Sequence, residues 1–271
     1  MRNIILSVFL FALMGCNNWL DVNPRTEMKE DELLSSEDGY KSALTGVYIQ
    51  LSLAPLYGCN TSFYFPEMLA RTWTIPSSSR SLVDYYLGRW DYKQKDVESL
   101  IEKISKGYYT CIAHLNEILK TVDKDQNLFQ NGNYELIKGE ALGLRGFLHL
   151  ELLRMFGPIP GETAANQLAI PYVEELTKDP NKLLTLTYSE VITKIIKDLD
   201  EAEQYLKEDP IMAEEDPTDE WQKNRGYRFN YYAVKAAKAR YYRWIGNAPK
   251  AAQYAQEVID SKKFALATEN D

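Results

Sequence analysis

The chain has 271 residues, 45% of them hydrophobic and 26% charged, with 31 basic against 39 acidic side chains. That length and apolar content suffice for a sizeable core, while the acidic balance, with no long Lys/Arg run to offset it, excludes nucleic acid as a partner. Tyrosine and tryptophan outnumber phenylalanine, 19 and 5 against 9, and rings with a polar edge suit half-wet surfaces and interfaces as well as packing between helices.

Arg2 gives a short positive start, and residues 4–14 are a nearly continuous apolar run. The run is far shorter than the roughly 20 residues a membrane-spanning helix needs and has the shape of a signal peptide, residues 1–15, that takes no part in the fold. Leu13-Met14-Gly15-Cys16 resembles the lipobox of bacterial lipoproteins. Gly15 is small enough for the peptidase pocket, and the Cys16 thiol is the group that takes a diacylglycerol. More than one acyl chain on Cys16 makes a stable membrane anchor. The alternative is an ordinary signal peptide with a chance cysteine. Asn17 follows in place of an Asp, so nothing points to retention at an inner membrane, and residues 16–30 are expected to run as a lipidated tether.

The remainder, residues 31–271, reads as helices joined by long loops. Ser35, Ser36, Glu37 and Asp38 supply start signals, after which Tyr40, Ala43, Leu44, Val47, Tyr48 and Leu51 fall at helical spacing. Pro55 and Gly58 end that helix. Residues 57–90 break the pattern with Pro66, Pro76, three consecutive serines and many aromatics, and read as loop with short helical pieces. A long helix over 96–122 carries Leu100, Ile104, Tyr108, Ile112, Leu115 and Leu119 on one stripe. The helix over 133–156 is apolar around most of its circumference and is expected to be buried on more than one side. Gly157-Pro158 stops it. Residues 159–186 read as a connecting loop. Thr187-Tyr188-Ser189-Glu190 is a capping box opening the next helix. An acidic loop covers 209–228, and Asn230 caps a helix through Trp244. Gly246-Asn247 turns the chain into a last helix ending near Ser261. Ala236, Ala239, Tyr242, Ala251, Ala255 and Val258 give the final pair a tetratricopeptide-like signature, with small residues for close approach and an aromatic for the groove. The 96–122 and 133–156 helices suggest a second, degenerate hairpin. The predicted fold is therefore all-α: tetratricopeptide-like helical hairpins with long irregular loops. Cys59 and Cys111 either pair in a disulfide, as an exported chain permits, or stay as two buried thiols; their spacing does not decide.

Catalytic patterns are missing. There is no HExxH, no GxSxG and no GxxxxGK[ST]. His114 and His149 stand alone on their helices, without the second ligand a zinc or other metal site needs, and no cofactor is indicated. Glu214-Glu215-Asp216 reads as a solvated loop, since paired acids cleave glycosides only at a fixed separation across a cleft. The expectation is a binding protein, not an enzyme.

Three stretches carry a resemblance to the SusD/RagB family of outer-membrane lipoproteins of Bacteroidota. They are Cys16-Asn17-Asn18-Trp19-Leu20-Asp21-Val22-Asn23-Pro24 with Glu37-Asp38-Gly39-Tyr40, Ala43 and Leu44-Thr45-Gly46-Val47-Tyr48; residues 139–160, beginning Gly139-Glu140-Ala141-Leu142-Gly143-Leu144-Arg145-Gly146-Phe147; and the pair over 230–260. Gly143 and Gly146 depart from the bulkier residues usual there. The resemblance implies a cell-surface, lipid-anchored protein of the outer membrane that binds a glycan or oligosaccharide, or in RagB-like members a peptide, and serves as the lid of a SusC-like TonB-dependent transporter. It also implies that this chain lacks the C-terminal part of the family fold, which supplies much of the ligand face, and that apolar surface is exposed near its last helices. A scaffold of envelope proteins that touches no small ligand is the alternative.

A sugar ring packs its C–H faces on aromatic rings. About 100 Å² of such burial yields roughly 2.5 kcal/mol gross against an association cost of ~4–15 kcal/mol, so an arc of rings with hydrogen bonds is required. Residues 57–90 hold the one dense cluster of rings outside the long helices: Tyr64, Trp73, Tyr85, Tyr86 and Trp90. Trp73 and Trp90 are the expected platforms, with Arg71 and Asp84 as hydroxyl partners. The competing role for the same rings is to pin the loop onto the helices.

Overall fold

A computed structural model describes residues 30–75, 81–175, 179 and 183–265. The segments read as signal peptide and tether, with Cys16, lie almost entirely outside the described residues. Residues 34–271 form one compact unit; of the unit before it, residues 1–33, a single helical turn, Glu30–Leu33, is described.

Ser36 opens the first long helix, α1 (Glu37–Ser52), by accepting from the Gly39 N–H at 3.2 Å. Glu37 and Asp38 sit in its first turn, where negative charge complements the helix dipole. Tyr40, Leu44, Val47 and Leu51 share one stripe and are all buried. Two short helices follow, α2 (Phe65–Ala70) and α3 (Leu82–Leu87). The long α4 (Lys95–Thr121) buries Ile104, Tyr108, Ile112 and Leu115 completely.

The axis of the fold is α5 (Asn133–Phe156). Between Leu136 and Leu153 only Lys138 and Phe147 escape burial, as its all-round apolar pattern requires. It packs on α1, on α4, and most extensively on α6 (Tyr188–Tyr205). Gly139, Gly143 and Gly146 line the contact. A Cβ on Gly139 would stand 2.6 Å from Leu206 Cγ, and one on Gly146 3.1 Å from Asp198 Cβ. The missing side chains thus set how closely this pair of helices approaches. Thr187 and Glu190 close the predicted capping box at the start of α6.

One element was not expected. The connection between α5 and α6 contains an antiparallel pair, β1 (Leu168–Pro171) with β2 (Thr185–Thr187), registering Leu168 against Thr187. Strands this short, one of them ending in a proline without an N–H, carry no periodic signal; the pairing comes from packing on α5 and α6.

The last hairpin pairs α7 (Tyr231–Trp244) with α8 (Ala248–Asp260). Tyr242 stacks on Tyr254 between them, with ring centroids 5.5 Å apart and planes 5° off parallel. Ala236 is exposed, however, and the inward positions of α7 are Val234, Ala237 and Tyr241. Tertiary packing rotates the buried stripe by one residue from the one the alanine spacing suggests. Ala251 is the one buried residue of α8, and Ile259 and the following Phe264 lie exposed.

Buried polar clusters tie the loops to this frame. Arg225 donates to Asp209 through Nε at 2.9 Å and Nη2 at 2.7 Å, and through Nη1 to Glu140. Tyr48 donates to the same Glu140 at 2.5 Å and accepts the Phe229 N–H at 2.8 Å. On the other side of α5, Arg145 grips Asp198 with two bonds of 2.7 Å and donates to Asn116 at 3.1 Å. Both guanidiniums are buried, and their carboxylate partners outweigh the penalty of burial, holding the charge firmly. Cys59 and Cys111 are unbonded; burial pushes the Cys111 thiol up to about 12.

Candidate functional site

The predicted aromatic stretch is two segments that brace one another. Phe65-Pro66 starts α2, with the proline in the first turn where its missing N–H costs nothing. Ser81 starts α3 by accepting from the Asp84 N–H at 3.2 Å. Three ties cross between the segments. Tyr64 donates to the Asp84 carboxylate, the Trp90 Nε1–H donates to the Leu69 carbonyl at 3.0 Å, and Ile75 fills the space beside Gly88 so tightly that a Cβ there would stand 2.2 Å from its Cδ1.

Both short helices end alike. Arg71 closes α2 with φ 54°, its N–H bonding back to Glu67 and Met68. Trp90 follows α3 with φ 60°, and the next residue, Asp91, returns its N–H to Tyr86 at 3.0 Å. These are left-handed caps, positions where glycine avoids a Cβ clash; a bulky residue there costs on the order of 1 kcal/mol. The two strained residues meet: the Arg71 guanidinium lies 3.7 Å from the centroid of the Trp90 ring.

The seven candidates therefore separate into groups. Trp73 and Trp90 are exposed, at 55% and 51%, and Arg71 is exposed beside Trp90. Tyr64 and Asp84 are half-buried and engaged with each other; burial, reinforced by Asp84, drives the Tyr64 hydroxyl well above its usual range, so it donates. Tyr85 and Tyr86 are half-buried and meet edge to face at 5.2 Å. No ring or ion partner is recorded for Trp73 among the described residues. Three neighbours were missed. Phe63 and Tyr92 expose 54% and 45% of their surface, and Arg89 stacks 3.6 Å from the Tyr85 ring centroid. The signal for Arg89 was present, since it stands four residues after Tyr85 in a helical stretch.

Surface hollows are found away from these segments. One of about 610 Å³ is lined by Glu135, Tyr205 and Gln222, and another of about 670 Å³ by Lys41, Ile49 and Trp221. A small ligand favours such concavities, whereas a polymer needs an open platform that lets the chain continue past the ring. Among the described residues no group of three His, Cys, Asp or Glu is placed to hold a metal, and His114 is exposed while His149 is buried.

Residues 18–242 match a SusD-like family model described as "Starch-binding associating with outer membrane". The curated SusD-like protein P25 of Formosa agariphila is 23% identical over 222 residues, which span 79% of this chain and 39% of that protein. Among solved structures, a SusD homolog from Bacteroides thetaiotaomicron superposes with a TM-score of 0.68 at 19% identity, covering 90% of this chain and 44% of that one. A SusD superfamily protein from Bacteroides fragilis gives 0.67 at 18% identity, covering 87% and 51%. The chain thus spans about half the length of these relatives, or less.

Proposed function

The chain belongs to the SusD-like family, and from that premise we propose that it is a lipid-anchored, outer-membrane glycan-binding protein that hands oligosaccharide to a SusC-like TonB-dependent transporter. Cys16 carries the anchor in this reading, after removal of residues 1–15. Its role is retention of ligand, with no bond made or broken. Trp73 and Trp90 are the platforms and Arg71 the hydroxyl partner, while Tyr64, Asp84, Tyr85 and Tyr86 hold the segments that present them.

The observation that supports this assignment is the exposure of two indole rings, about half their surface each, on segments braced to each other and ended by left-handed caps. Exposed tryptophan on a fixed backbone loses little side-chain entropy when a sugar stacks on it. The guanidinium of Arg71 lies over the Trp90 ring, 3.7 Å from its centroid, and the indole keeps about half its surface exposed.

The test is retention of polysaccharides in affinity gels by the wild-type chain and by Trp73→Ala and Trp90→Gly. Each ring stands to lose up to about 2.5 kcal/mol of stacking, so retention should fall by tenfold or more. The Trp90→Gly variant loses the Nε1–H bond to the Leu69 carbonyl, worth about 1 kcal/mol, and relieves a left-handed strain of about the same size, so its melting temperature should change little. Unchanged retention, or loss of the fold in both variants, rejects the platform role. Transporter partnership is tested separately, by co-purification of a TonB-dependent barrel with the tagged lipoprotein from membranes.

A further inference from the structure

We infer that the aromatic face selects anionic glycans, those carrying carboxylate or sulfate groups; the inference rests on the glycan-binding reading and narrows its ligand. The starting point is how the arginines are used. Among the described residues Arg145, Arg154, Arg225, Arg228 and Arg240 each have a carboxylate within 4.0 Å. Arg71, Arg89 and Arg243 do not. Of these, Arg71 and Arg89 are exposed with the guanidinium over a ring, 3.7 Å from the Trp90 centroid and 3.6 Å from that of Tyr85.

A stacked guanidinium is attracted through its face and keeps its edge N–H donors free. Arg89 uses one of them, Nη1, on the Tyr85 carbonyl at 3.0 Å; no side-chain hydrogen bond is recorded for Arg71 among the described residues. The stacking fixes the plane of each fork in advance, which is the costly part of gripping a carboxylate or sulfate in bidentate fashion. The fold holds Arg71 and Trp90 together even though both occupy strained backbone.

The local charge balance agrees. Residues 53–94 contain four basic residues, Arg71, Arg80, Arg89 and Lys93, against three acidic ones, in a chain with 31 basic against 39 acidic overall. The three acids already accept hydrogen bonds from neutral groups: Glu67 from Thr72, Asp84 from Tyr64, and Asp91 from Gln94. Among the described residues none of the three pairs with a guanidinium. An anionic polymer is repelled by the acidic protein at large, so its retention is a local property of this face and not general ion exchange.

The experiment is affinity electrophoresis of the full chain in gels containing neutral polysaccharides (dextran, galactan, xylan, laminarin) or acidic ones (polygalacturonate, alginate, dextran sulfate, carrageenan). The expected result is at least a roughly fivefold stronger retention by one or more acidic polymers than by any neutral one at low salt. That preference should shrink as salt rises, because exposed pairs are screened over about 8 Å at physiological ionic strength. In Arg71→Gln/Arg89→Gln it should fall by fivefold or more with the melting temperature unchanged. Equal or stronger retention by neutral polymers, or an acidic preference that survives in the double variant, overturns the inference and leaves glycan binding intact. Retention by none of the eight overturns the glycan reading and this inference with it.

Discussion

His149 is fixed in its neutral state by geometry, and that makes acid its weak point. Its Nε2 accepts the Val173 N–H at 3.0 Å, so Nδ1 carries the ring proton and donates to the Arg145 carbonyl at 2.9 Å. The ring also stacks on Tyr172 at 3.8 Å, within 17° of parallel. A second proton on Nε2 would face the Val173 N–H, in a fully buried site next to the Arg145 charge. Burial first, and then Arg145 and Lys194, lower the imidazole from its ordinary 6.5 to about 3. The unfolded chain binds that proton below about pH 6.5 and the folded chain does not until about pH 3, so stability falls as pH drops through this window. Each pH unit costs about 1.4 kcal/mol, hence about 2 kcal/mol between pH 6.5 and 5. That is a large fraction of the ~5–15 kcal/mol typical of a domain. His149→Gln preserves one acceptor and one donor without a titrating group. Urea denaturation followed by circular dichroism at pH 7 and pH 5 should show the wild type losing about 2 kcal/mol more than the variant. Parallel losses in the two proteins would refute the reasoning.

Two further perturbations probe the frame. Arg225→Met leaves Glu140 and Asp209 buried without their cation and should cost about 3–5 kcal/mol, whereas adding Glu140→Gln and Asp209→Asn should recover much of it; a loss under about 1 kcal/mol for the single change contradicts the clamp. Gly139→Ala and Gly46→Ala should move thermal stability in opposite directions. The first drives a Cβ into the buried Leu206 and costs about 1 kcal/mol net, while the second, an exposed mid-helix site with no atom within 4 Å, gains about as much from helix propensity; a stabilising Gly139→Ala would show that the α5–α6 contact is looser than described.

The long helices were legible in the chain because their signals are local and redundant. Ser36, Thr187 and Asn230 cap where the pattern begins, and the apolar stripes of α1, α4 and α6 repeat over many turns. Family membership was legible for the same reason, since it rests on contiguous stretches of residues. The ring cluster over 57–90 was legible as composition, but not as geometry: nothing local distinguishes Tyr64, half-buried and bonded to Asp84, from Trp73, exposed.

What the residues settled unaided was the order and type of the long helices, α1 and α4 through α8, because side-chain period and capping chemistry act within a few positions of one another. Contacts between distant positions decided the rest. Packing on α5 and α6 made strands of Leu168–Pro171 and Thr185–Thr187, and turned Ala237 rather than Ala236 inward. It also set Arg71 on Trp90 and Arg89 on Tyr85. Stacking, burial and charge neutralisation depend on what arrives from elsewhere in the chain, and only the folded molecule brings those partners together.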